Sequence, residues 1–345
     1  MTDTTSPVTI SFVVPCFNSA GYMDRCIGSL LGADDVEIII VDDGSTLDDT
    51  AAKADRWQAD HPDIVKVIHQ TNKGHGGAVM AGVQAAQGVW LAVVDSDDRL
   101  DPDGLTALLA RLRQLLRDGQ QVDLVVANCV FEHAPTGTSK TMRFHGALPA
   151  NRVIRWDETG TFGNWQHITM HSAIFRTQVL RDSGMELPEN LYYVDNIYVY
   201  APLPYVKTLY YLPVDLYRYF IGRDDQSVNE AVLLRQLDQH ILVARIMMDT
   251  VELPTAPEDR KLAAYMAGFL GKVITASAAL ATVDGSPQAL ASRYAIWRHI
   301  DTLDKAFRTK LKRQVLVVGS NLPGAAGRAI ARTGYHVARR IYRFM

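Results

Sequence analysis

Short apolar runs alternate with amphipathic stretches along the first 130 residues of the chain. Runs rich in β-branched residues predict strands over 9–15, 37–42, 65–69, 89–94 and 123–128. The spacing of apolar positions between them predicts helices over 22–31, 46–60, 77–86 and 102–117. Because helices alternate with strands that are almost continuously apolar, we expect an α/β fold with a mostly parallel sheet covered by helices.

The remainder of the chain shows two other patterns. Residues 131–225 are irregular and rich in Trp, Tyr, His and Pro, which is typical of a segment that lines a cleft or an acceptor surface. From about Val228 the apolar spacing is helical, over 228–250, 257–282, 286–319 and 325–344.

These patterns predict two regions. The first is a domain over 1–227, with one half at about 8–130 and the other at about 131–227. The second is a helical C-terminal region over 228–345 that ends in a basic amphipathic tail.

Composition supports a folded protein with a sizeable core, since 48% of the 345 residues are apolar. No uncharged apolar run approaches the roughly 20 residues of a membrane-spanning helix, so none is predicted. The N-terminus lacks the basic segment and apolar core of a secretory signal. The three cysteines, Cys16, Cys26 and Cys129, are not clustered and suit reduced thiols in the cytoplasm.

Charge is distributed unevenly. Residues 293–345 contain 12 Lys or Arg and two Asp, a net charge of +10, so the preceding 292 residues carry −13 within a total of −3. A cationic amphipathic tail favours peripheral contact with anionic lipid at the inner face of a membrane. Two alternatives remain: the tail packs on the acidic body, or it mediates homo-oligomerisation. No nucleic-acid partner is expected.

Polar clusters follow four of the predicted strands. They are Pro15–Asn18, Asp42–Thr46, Asn72–Gly77 and Asp95–Asp98. In a parallel α/β sheet, ligands bind beyond the carboxyl ends of the strands, so these clusters are expected around one crevice. Three carboxylates within four residues, Asp95, Asp97 and Asp98, repel one another unless a cation or open solvent lies beside them.

Four segments together resemble the family 2 glycosyltransferases, which are inverting enzymes with the GT-A fold. The segments read VVPCFNSAGYMDRCIGSL, IIIVDDGSTLDDT, NKGHGGAVMAGV and VVDSDDRLDPDGL. The resemblance covers about residues 8–225 and leaves the basic helical tail unexplained. It implies a GT-A domain that binds a nucleoside-diphosphate sugar, with a UDP-sugar favoured, and a divalent cation, manganese or magnesium.

The resemblance assigns roles at the donor site. Asp97 and Asp95 are the implied metal ligands, and Asp95 also contacts the ribose or the sugar. Asp43 is implied to accept a hydrogen bond from the base, Asp42 to support the turn and Lys73 to meet phosphate. The implied donor-contacting residues are Pro15, Phe17, Asn18, Asp42, Asp43, Lys73, Gly74, Asp95 and Ser96. Val79-Met80 stands where many members carry Arg-Asn, which leaves a donor contact from that helix open.

A general base is expected near the start of a later helix. Inverting transfer is a single displacement, and a carboxylate must accept the proton of the attacking hydroxyl group. Where the family usually has a Glu-Asp pair, this chain reads Val194-Asp195, so Asp195 is the implied base. The alternative for Asp195 is a structural helix cap, and Glu189 is the next candidate for the base.

Further contacts are implied in the acceptor half. Segment 216–229 resembles a loop that closes over such sites, and Arg218, Arg223 and Gln226 are implied to compensate the leaving diphosphate. The alternative is a solvated turn with Arg–Asp pairs. Trp165 and His171 are weaker candidates for the acceptor site.

Asp98 and Asp101 have alternative roles near the start of the next helix. Asp98 either tunes the site or caps the next helix, whereas Asp101-Pro102 is predicted to begin that helix.

The implied activity is transfer of a sugar to a hydroxyl group of a glycan or lipid-linked acceptor in cell-envelope or exopolysaccharide synthesis. A non-catalytic sugar-nucleotide or carbohydrate-binding protein remains the alternative, because Val194 departs from the family pattern. A Rossmann oxidoreductase is disfavoured because PCFNSAG after the first strand lacks the Gly-x-Gly-x-x-Gly motif. A sugar-nucleotide pyrophosphorylase is disfavoured by the absence of a glycine-rich basic loop there.

Overall fold

The computed structural model describes residues 8–32, 35–133, 135–164, 166–222, 226, 229–250 and 252–341, with the backbone alone at 338–341. The chain divides into two compact units, Met1–Phe220 and Ile221–Met345. The sequence pattern had suggested a boundary after residue 227.

The strands of the described residues form one sheet. They are β1 (Ile10–Cys16), β2 (Val36–Asp42), β3 (Val65–His69), β4 (Trp90–Val93), β5 (Arg99–Leu100), β6 (Leu124–His133), β7 (Thr138–Met142), β8 (Val153–Ile154), β9 (Ala173–Arg176) and β10 (Leu209–Ile221). The order is β3-β2-β1-β4-β9-β6-β10-β5, with β7 beside β6 and β8 beside β10. All five strands predicted from the sequence are present.

The sheet is mixed rather than mostly parallel. β1 pairs in parallel with β2 and β4, and β2 pairs in parallel with β3. β9 then lies between β4 and β6 and is antiparallel to both. The expectation of a mostly parallel sheet was wrong beyond β4, because a four-residue strand from the irregular region inserts there, and so short a segment carries no periodic signal.

Six helices accompany the sheet in the described part of the first unit. They are α1 (Met23–Leu30), α2 (Thr50–Asp60), α3 (Gly74–Ala85), α4 (Pro102–Arg117), α5 (Thr177–Asp182) and α6 (Asp195–Tyr200). The predicted start of α4 is confirmed: the Asp101 side chain accepts hydrogen bonds from the backbone N–H groups of Asp103 and Gly104, and Pro102 is the first helical residue.

Helix α3 packs directly on β1. A Cβ atom at Gly82 would lie 2.2 Å from Cγ1 of Val13, so only glycine permits this approach. Residues of β1 and β2 are buried along their whole length. The close contact therefore fixes the start of α3 relative to the carboxyl ends of these strands.

The second unit is helical in its described residues. Its helices are α7 (Glu230–Arg235), α8 (Leu237–Thr250), α9 (Arg260–Asp284), α10 (Pro287–His299), α11 (Lys305–Lys312), α12 (Val315–Ser320) and α13 (Gly324–Ile341). Helices α8, α10, α12 and α13 all contact α9. The stretch 286–319 is three helices rather than one, because the Asp304 side chain caps a new helix by accepting from the N–H groups of Ala306 and Phe307.

One helical segment, Pro257–Asp284, is long and apolar enough to cross a membrane when length and composition alone are considered. However, 72% of its most apolar window is buried inside the protein. This burial is typical of the central helix of a helical core.

Candidate active site

The polar clusters meet at one edge of the sheet. The parallel pairings bring the carboxyl ends of β1, β2, β3 and β4 to the same side, and each strand runs directly into one of the clusters. The expected crevice is therefore supported by the topology of the first unit.

Asn18 joins the loops that follow β1 and β2. Its Oδ1 accepts hydrogen bonds from the N–H groups of Thr46 (3.1 Å) and Leu47 (3.0 Å), and its own N–H donates to Oγ of Ser45 at 2.9 Å. The residue has a φ of 48°, a conformation that Asn tolerates better than most residues. Beside it, Phe17 is 50% exposed and is available to a planar ligand.

The acidic pair after β2 holds two loops in place. Oδ1 of Asp42 accepts from the N–H of Ser45 at 3.1 Å, and its Oδ2 lies 2.9 Å from Nδ1 of His69. Oδ1 of Asp43 accepts from Nε2 of Gln70 at 2.7 Å and from the N–H of Lys73 at 2.9 Å. Both acids are buried, so their first structural role is to order the loops around the crevice.

The loop after β3 contacts the segment that carries Asp195. The N–H of Asn190 donates to the carbonyl oxygen of Lys73 at 2.7 Å, and Nζ of Lys73 lies 3.2 Å from Oε1 of Glu189. Gly74 has a φ of 74°, and a Cβ atom there would lie 2.8 Å from the backbone nitrogen of Asn190. The implied phosphate loop and the implied base loop are therefore one connected structure.

Asp95 is the centre of the site. Its Oδ1 lies 2.8 Å from Nε2 of His75 and its Oδ2 lies 3.4 Å from Nε2 of His171. Burial opposes ionisation of Asp95, but the two imidazoles outweigh it and hold its pKa well below the usual range. Burial likewise opposes protonation of His75, yet the Asp95 carboxylate raises the pKa of that imidazole. Asp95 and His75 thus form a part-buried ion pair.

His75 is a site residue that the sequence pattern did not predict. The sequence feature that could have identified it is its imidazole, the only one in the segment NKGHGG, for which only Lys73 and Gly74 were predicted as ligand contacts. His171 was considered for the acceptor site, and the structure places it against Asp95. Its ring stacks on Tyr219 with a centroid distance of 4.5 Å and meets the edge of Tyr217 at 4.8 Å.

Asp98 is fully buried, and both of its carboxyl oxygens accept hydrogen bonds from residues of β10. The hydroxyl group of Tyr217 donates to its Oδ2 at 2.8 Å, and the N–H of Phe220 donates to its Oδ1 at 2.8 Å. Burial, followed by the charges of Asp97 and Asp95, raises the pKa of Asp98 well above its usual value. The raised pKa opposes the addition of a third negative charge to the loop, and Asp101 rather than Asp98 caps the next helix.

The other two residues of this loop are positioned by α1 and β1. The carbonyl oxygen of Asp97 accepts a hydrogen bond from Nη2 of Arg25 at 2.6 Å. The Ser96 hydroxyl group interacts with the thiol of Cys16, whose pKa burial raises to about 12. Cys16, Cys26 and Cys129 are all buried and unpaired, in agreement with reduced thiols.

Asp195 is the first residue of α6 and lies in the same electrostatic cluster. Burial raises the pKa of its carboxyl group, and the electrostatic interactions with His171 and His75 offset part of that effect. Tyr193, two residues earlier, has a φ of 65°, which is an outlier for an aromatic residue and marks local strain. Val194, which stands in place of the usual acid, is buried and extends the apolar packing rather than the charged cluster.

The other residues that the resemblance implies as contacts lie in different parts of the structure. Arg218 is engaged within the first unit: its Nη2 lies 2.6 Å from Asp101 and its Nη1 lies 3.4 Å from Glu132. Gln226 belongs to the second unit, where its Oε1 accepts from the N–H of Gly222 at 2.9 Å. Trp165 and Arg223 lie outside the described residues.

One group of described side chains has the composition and spacing of a metal site. Ligand atoms of Asp95, Asp98 and His171 lie within 4.8 Å of one another. Two carboxyl groups and an imidazole suit a cation that accepts both oxygen and nitrogen ligands, such as manganese. Of the three, Asp98 is the weakest ligand, because its pKa is raised and both of its oxygens accept hydrogen bonds. Asp97 is not a member of this group, although it lies in the same loop.

The crevice lies within the part of the chain that a known family model matches. The family model described as glycosyl transferase family 2 matches residues 11–182, which include every strand end of the crevice. The chain is 39% identical over 104 residues to the succinoglycan biosynthesis protein ExoO of Rhizobium meliloti, a match that covers 30% of this chain and 29% of that protein. It is 38% identical over 107 residues to a chondroitin synthase of Escherichia coli, covering 30% of this chain and 15% of that enzyme. The chain thus spans less than a third of the length of either relative.

A solved structure resembles the fold over a longer range. The structure of S. aureus TarS 1–349 in complex with UDP-GlcNAc matches with a TM-score of 0.64 and 18% identity, and the match covers 97% of this chain and 91% of that one. At this identity the likeness concerns the fold alone.

Proposed function

Because this chain belongs to glycosyltransferase family 2, we propose that it transfers a sugar from a nucleoside-diphosphate sugar to a hydroxyl group of a glycan or lipid-linked acceptor. The observation that carries the proposal is the cluster of Asp95, His75, His171 and Asp195 at the carboxyl ends of the parallel strands. A partly exposed carboxyl group of raised pKa, as at Asp195, is what proton abstraction from a hydroxyl group requires.

The proposed reaction is a single displacement with inversion. The acceptor oxygen forms a bond to the anomeric carbon while the bond between that carbon and the diphosphate oxygen breaks. Asp195 accepts the proton of the acceptor hydroxyl group. The raised pKa of Asp195 makes it a stronger base than an exposed aspartate, while it still ionises as the pH rises.

Donor binding is proposed at the strand ends. Phe17 and Asn18 would contact the base, Asp43 would order the base-binding loop, and Lys73 with the backbone of Gly74 would face the diphosphate. Lys73 is 45% exposed in its side chain and can exchange Glu189 for a phosphate oxygen. UDP is the favoured nucleotide because of the resemblance of segment IIIVDDGS to the family pattern.

A divalent cation fits the proposal as the partner of the diphosphate. Asp95 and His171 would hold it, with Asp97 as the further ligand that the resemblance implies. When bound, the cation would neutralise charge on the leaving nucleoside diphosphate.

The proposed setting is polysaccharide or cell-envelope glycan synthesis in the cytoplasm. The names of ExoO and the chondroitin synthase, which refer to succinoglycan and chondroitin, support this setting.

The test is a donor screen with the full chain. UDP- and GDP-sugars are added with manganese or with a chelator, and the melting temperature and the release of nucleoside diphosphate are measured. A metal-dependent rise in melting temperature for one sugar nucleotide, with slow release of its diphosphate, is expected. If every sugar nucleotide leaves the melting temperature unchanged, the proposal is contradicted. Binding without release, even with added glycan acceptors, would instead favour the non-catalytic alternative that Val194 raises.

A further inference from the structure

Two adjacent aliphatic side chains are strongly exposed at the start of α12. Val315 is 83% exposed and Leu316 is 60% exposed. Scattered apolar residues on a surface are ordinary, but two neighbours exposed to this extent in a helix are unusual in a protein that has room to bury them. They directly follow a basic run, in which Lys310, Lys312 and Arg313 lie within four residues.

The exposure of this pair is imposed by the packing around it. Leu311 and Val317, on either side, are both 0% exposed, so α11 and α12 already direct other apolar residues inwards. Gln314 anchors the helix start, since its Nε2 donates to the carbonyl oxygen of Ala267 in α9 at 2.7 Å. Val315 and Leu316 therefore cannot turn into the core without breaking these contacts.

A second exposed apolar stripe occurs on α13. Ile330 is 57% exposed and Val337 is 49% exposed, and a spacing of seven residues places both on one face of the helix. The inward side is held by Ala331, which is 7% exposed, and by Arg332, whose Nη2 donates to the carbonyl oxygen of Thr282 at 3.1 Å. Ile330 and Val337 therefore face solvent rather than the core.

Charge identifies the partner that suits these features. Residues 293–345 carry a net charge of +10, and Arg298, Lys305 and Arg313 are exposed. Exposed aliphatic side chains flanked by Lys and Arg suit the boundary between lipid headgroups and acyl chains. At this boundary the aliphatic side chains enter apolar surroundings, and the Lys and Arg side chains meet the phosphates of the headgroups. A nucleic acid would use the positive charge but would leave the aliphatic pair in water.

We propose that the C-terminal segment 305–337 is a docking surface for an anionic lipid membrane, with Val315 and Leu316 as its inserting pair. The basic residues around the pair attract the surface from solution, and the aliphatic side chains hold the protein there once they enter the headgroup region. This inference goes beyond the proposed transfer reaction and does not depend on it, because lipid binding requires neither donor nor acceptor.

The experiment is sedimentation of the full chain with two kinds of vesicles. One kind is phosphatidylcholine alone, and the other contains one third phosphatidylglycerol. The protein is expected to sediment with the anionic vesicles and not with the neutral ones, and added salt should weaken the binding.

Two double variants separate the apolar and the basic contributions. Val315→Ser with Leu316→Ser should weaken binding to anionic vesicles about 10-fold or more, because the aliphatic surface that leaves water is lost. Lys310→Gln with Arg313→Gln should weaken it to a similar extent through lost attraction. The matched controls lie in the same unit: Leu242→Ser, at an exposed position of α8, and Arg260→Gln with Lys261→Gln, at exposed positions of α9, should each bind like the wild type.

Several outcomes would overturn the inference. They are no sedimentation with anionic vesicles, equal sedimentation with neutral ones, and controls that lose binding as strongly as the test variants. A lipid-independent oligomer that Val315→Ser with Leu316→Ser converts to monomers would also overturn it, since the surface would then be an interface between copies of the chain. The melting temperature of each variant shows whether a loss of binding comes from unfolding.

Discussion

The carboxylate of Asp95 is where the contributions of distant residues converge. His75 comes from the start of α3, His171 from the turn before β9, and Asp195 from the start of α6. The two imidazoles compensate the charge of Asp95. Burial and the neighbouring acids raise the pKa of Asp98, which opposes the ionisation of that carboxyl group. Residues of the chain itself therefore stabilise the crowded acids after β4, and Asp195 lies in the same electrostatic cluster.

Replacement of the base tests the catalytic assignment. Asp195→Asn should lower the rate of transfer by roughly 10²-fold or more while donor affinity is unchanged, since an amide cannot accept the proton. Transfer rates and donor titrations of both proteins measure this. Glu189→Gln is the control, because Glu189 is exposed and pairs with Lys73, and a larger loss in that variant would move the base to Glu189.

The pH profile gives an independent test of the same residue. Burial raises the pKa of Asp195 above 3.8, and the base acts only when it is ionised. The value of kcat/KM should therefore rise with pH through an apparent pKa above that of an exposed aspartate, and Asp195→Asn should remove this acidic limb. A wild-type profile that is flat down to pH values near 4 would contradict the assignment.

The metal assignment is tested at Asp97. Asp97→Asn should abolish the part of donor affinity that depends on manganese, because a neutral amide is a poor ligand for a hard cation. Donor titrations with manganese and with a chelator measure the difference. Asp103→Asn, at an exposed position in the first turn of α4, should behave as the wild type. Unchanged manganese dependence in Asp97→Asn would contradict a role of Asp97 as a metal ligand, and Asp95 and His171 would remain as the candidate ligands.

At the scale of elements, the position of the site depends on how α3 lies on β1. The carboxyl end of β1 and the amino end of α3 both contribute loops to the crevice, and the absence of a side chain at Gly82 allows them to approach. Val13, the residue that faces it, is β-branched and buried, so it has few alternative rotamers with which to make room.

Gly82→Ala should lower the free energy of unfolding by about 1–3 kcal/mol, the usual range for an extra methyl group in a packed core. This loss should occur although alanine favours a helix more than glycine does. Denaturant unfolding of the full chain measures it. Gly21→Ala, where nothing lies within 4 Å of the added Cβ atom, is the control and should change the free energy of unfolding little. Equal stability of Gly82→Ala and the wild type would contradict the close packing.

At the scale of the whole molecule, the chain combines two units of different character. The first carries the sheet and the candidate site, and the second is helical and carries the basic C-terminal segment. Donor recognition and lipid docking are thus assigned to different units of the chain, and each can be measured without the other.

The location of donor binding can be tested by hydrogen–deuterium exchange. A sugar nucleotide with manganese should slow exchange in the loops 16–18, 43–46, 72–75 and 95–98, since bound ligand stabilises the native state locally. Exchange in α9 (Arg260–Asp284) should be unchanged. Protection confined to the helical unit would contradict a donor site at the strand ends.

The sequence by itself determined the strands of the parallel half, the helices between them and the polar clusters at their ends. These are local features: a buried strand requires a continuous apolar run, and the start of α4 requires a capping group such as Asp101 before Pro102. The proximity of the clusters also followed, because parallel strands place their carboxyl ends at one edge of the sheet.

Tertiary structure alone decided the antiparallel half and the partners of Asp95. β9 has four residues, and its place between β4 and β6 depends on pairing with strands distant in the chain. His75 and His171 reach Asp95 only through the packing of α3 and of the turn before β9. The pKa of each acid then depends on burial and on hydrogen bonds such as that from Tyr217 to Asp98. Residue spacing does not predict these contacts, because they form between residues far apart in sequence.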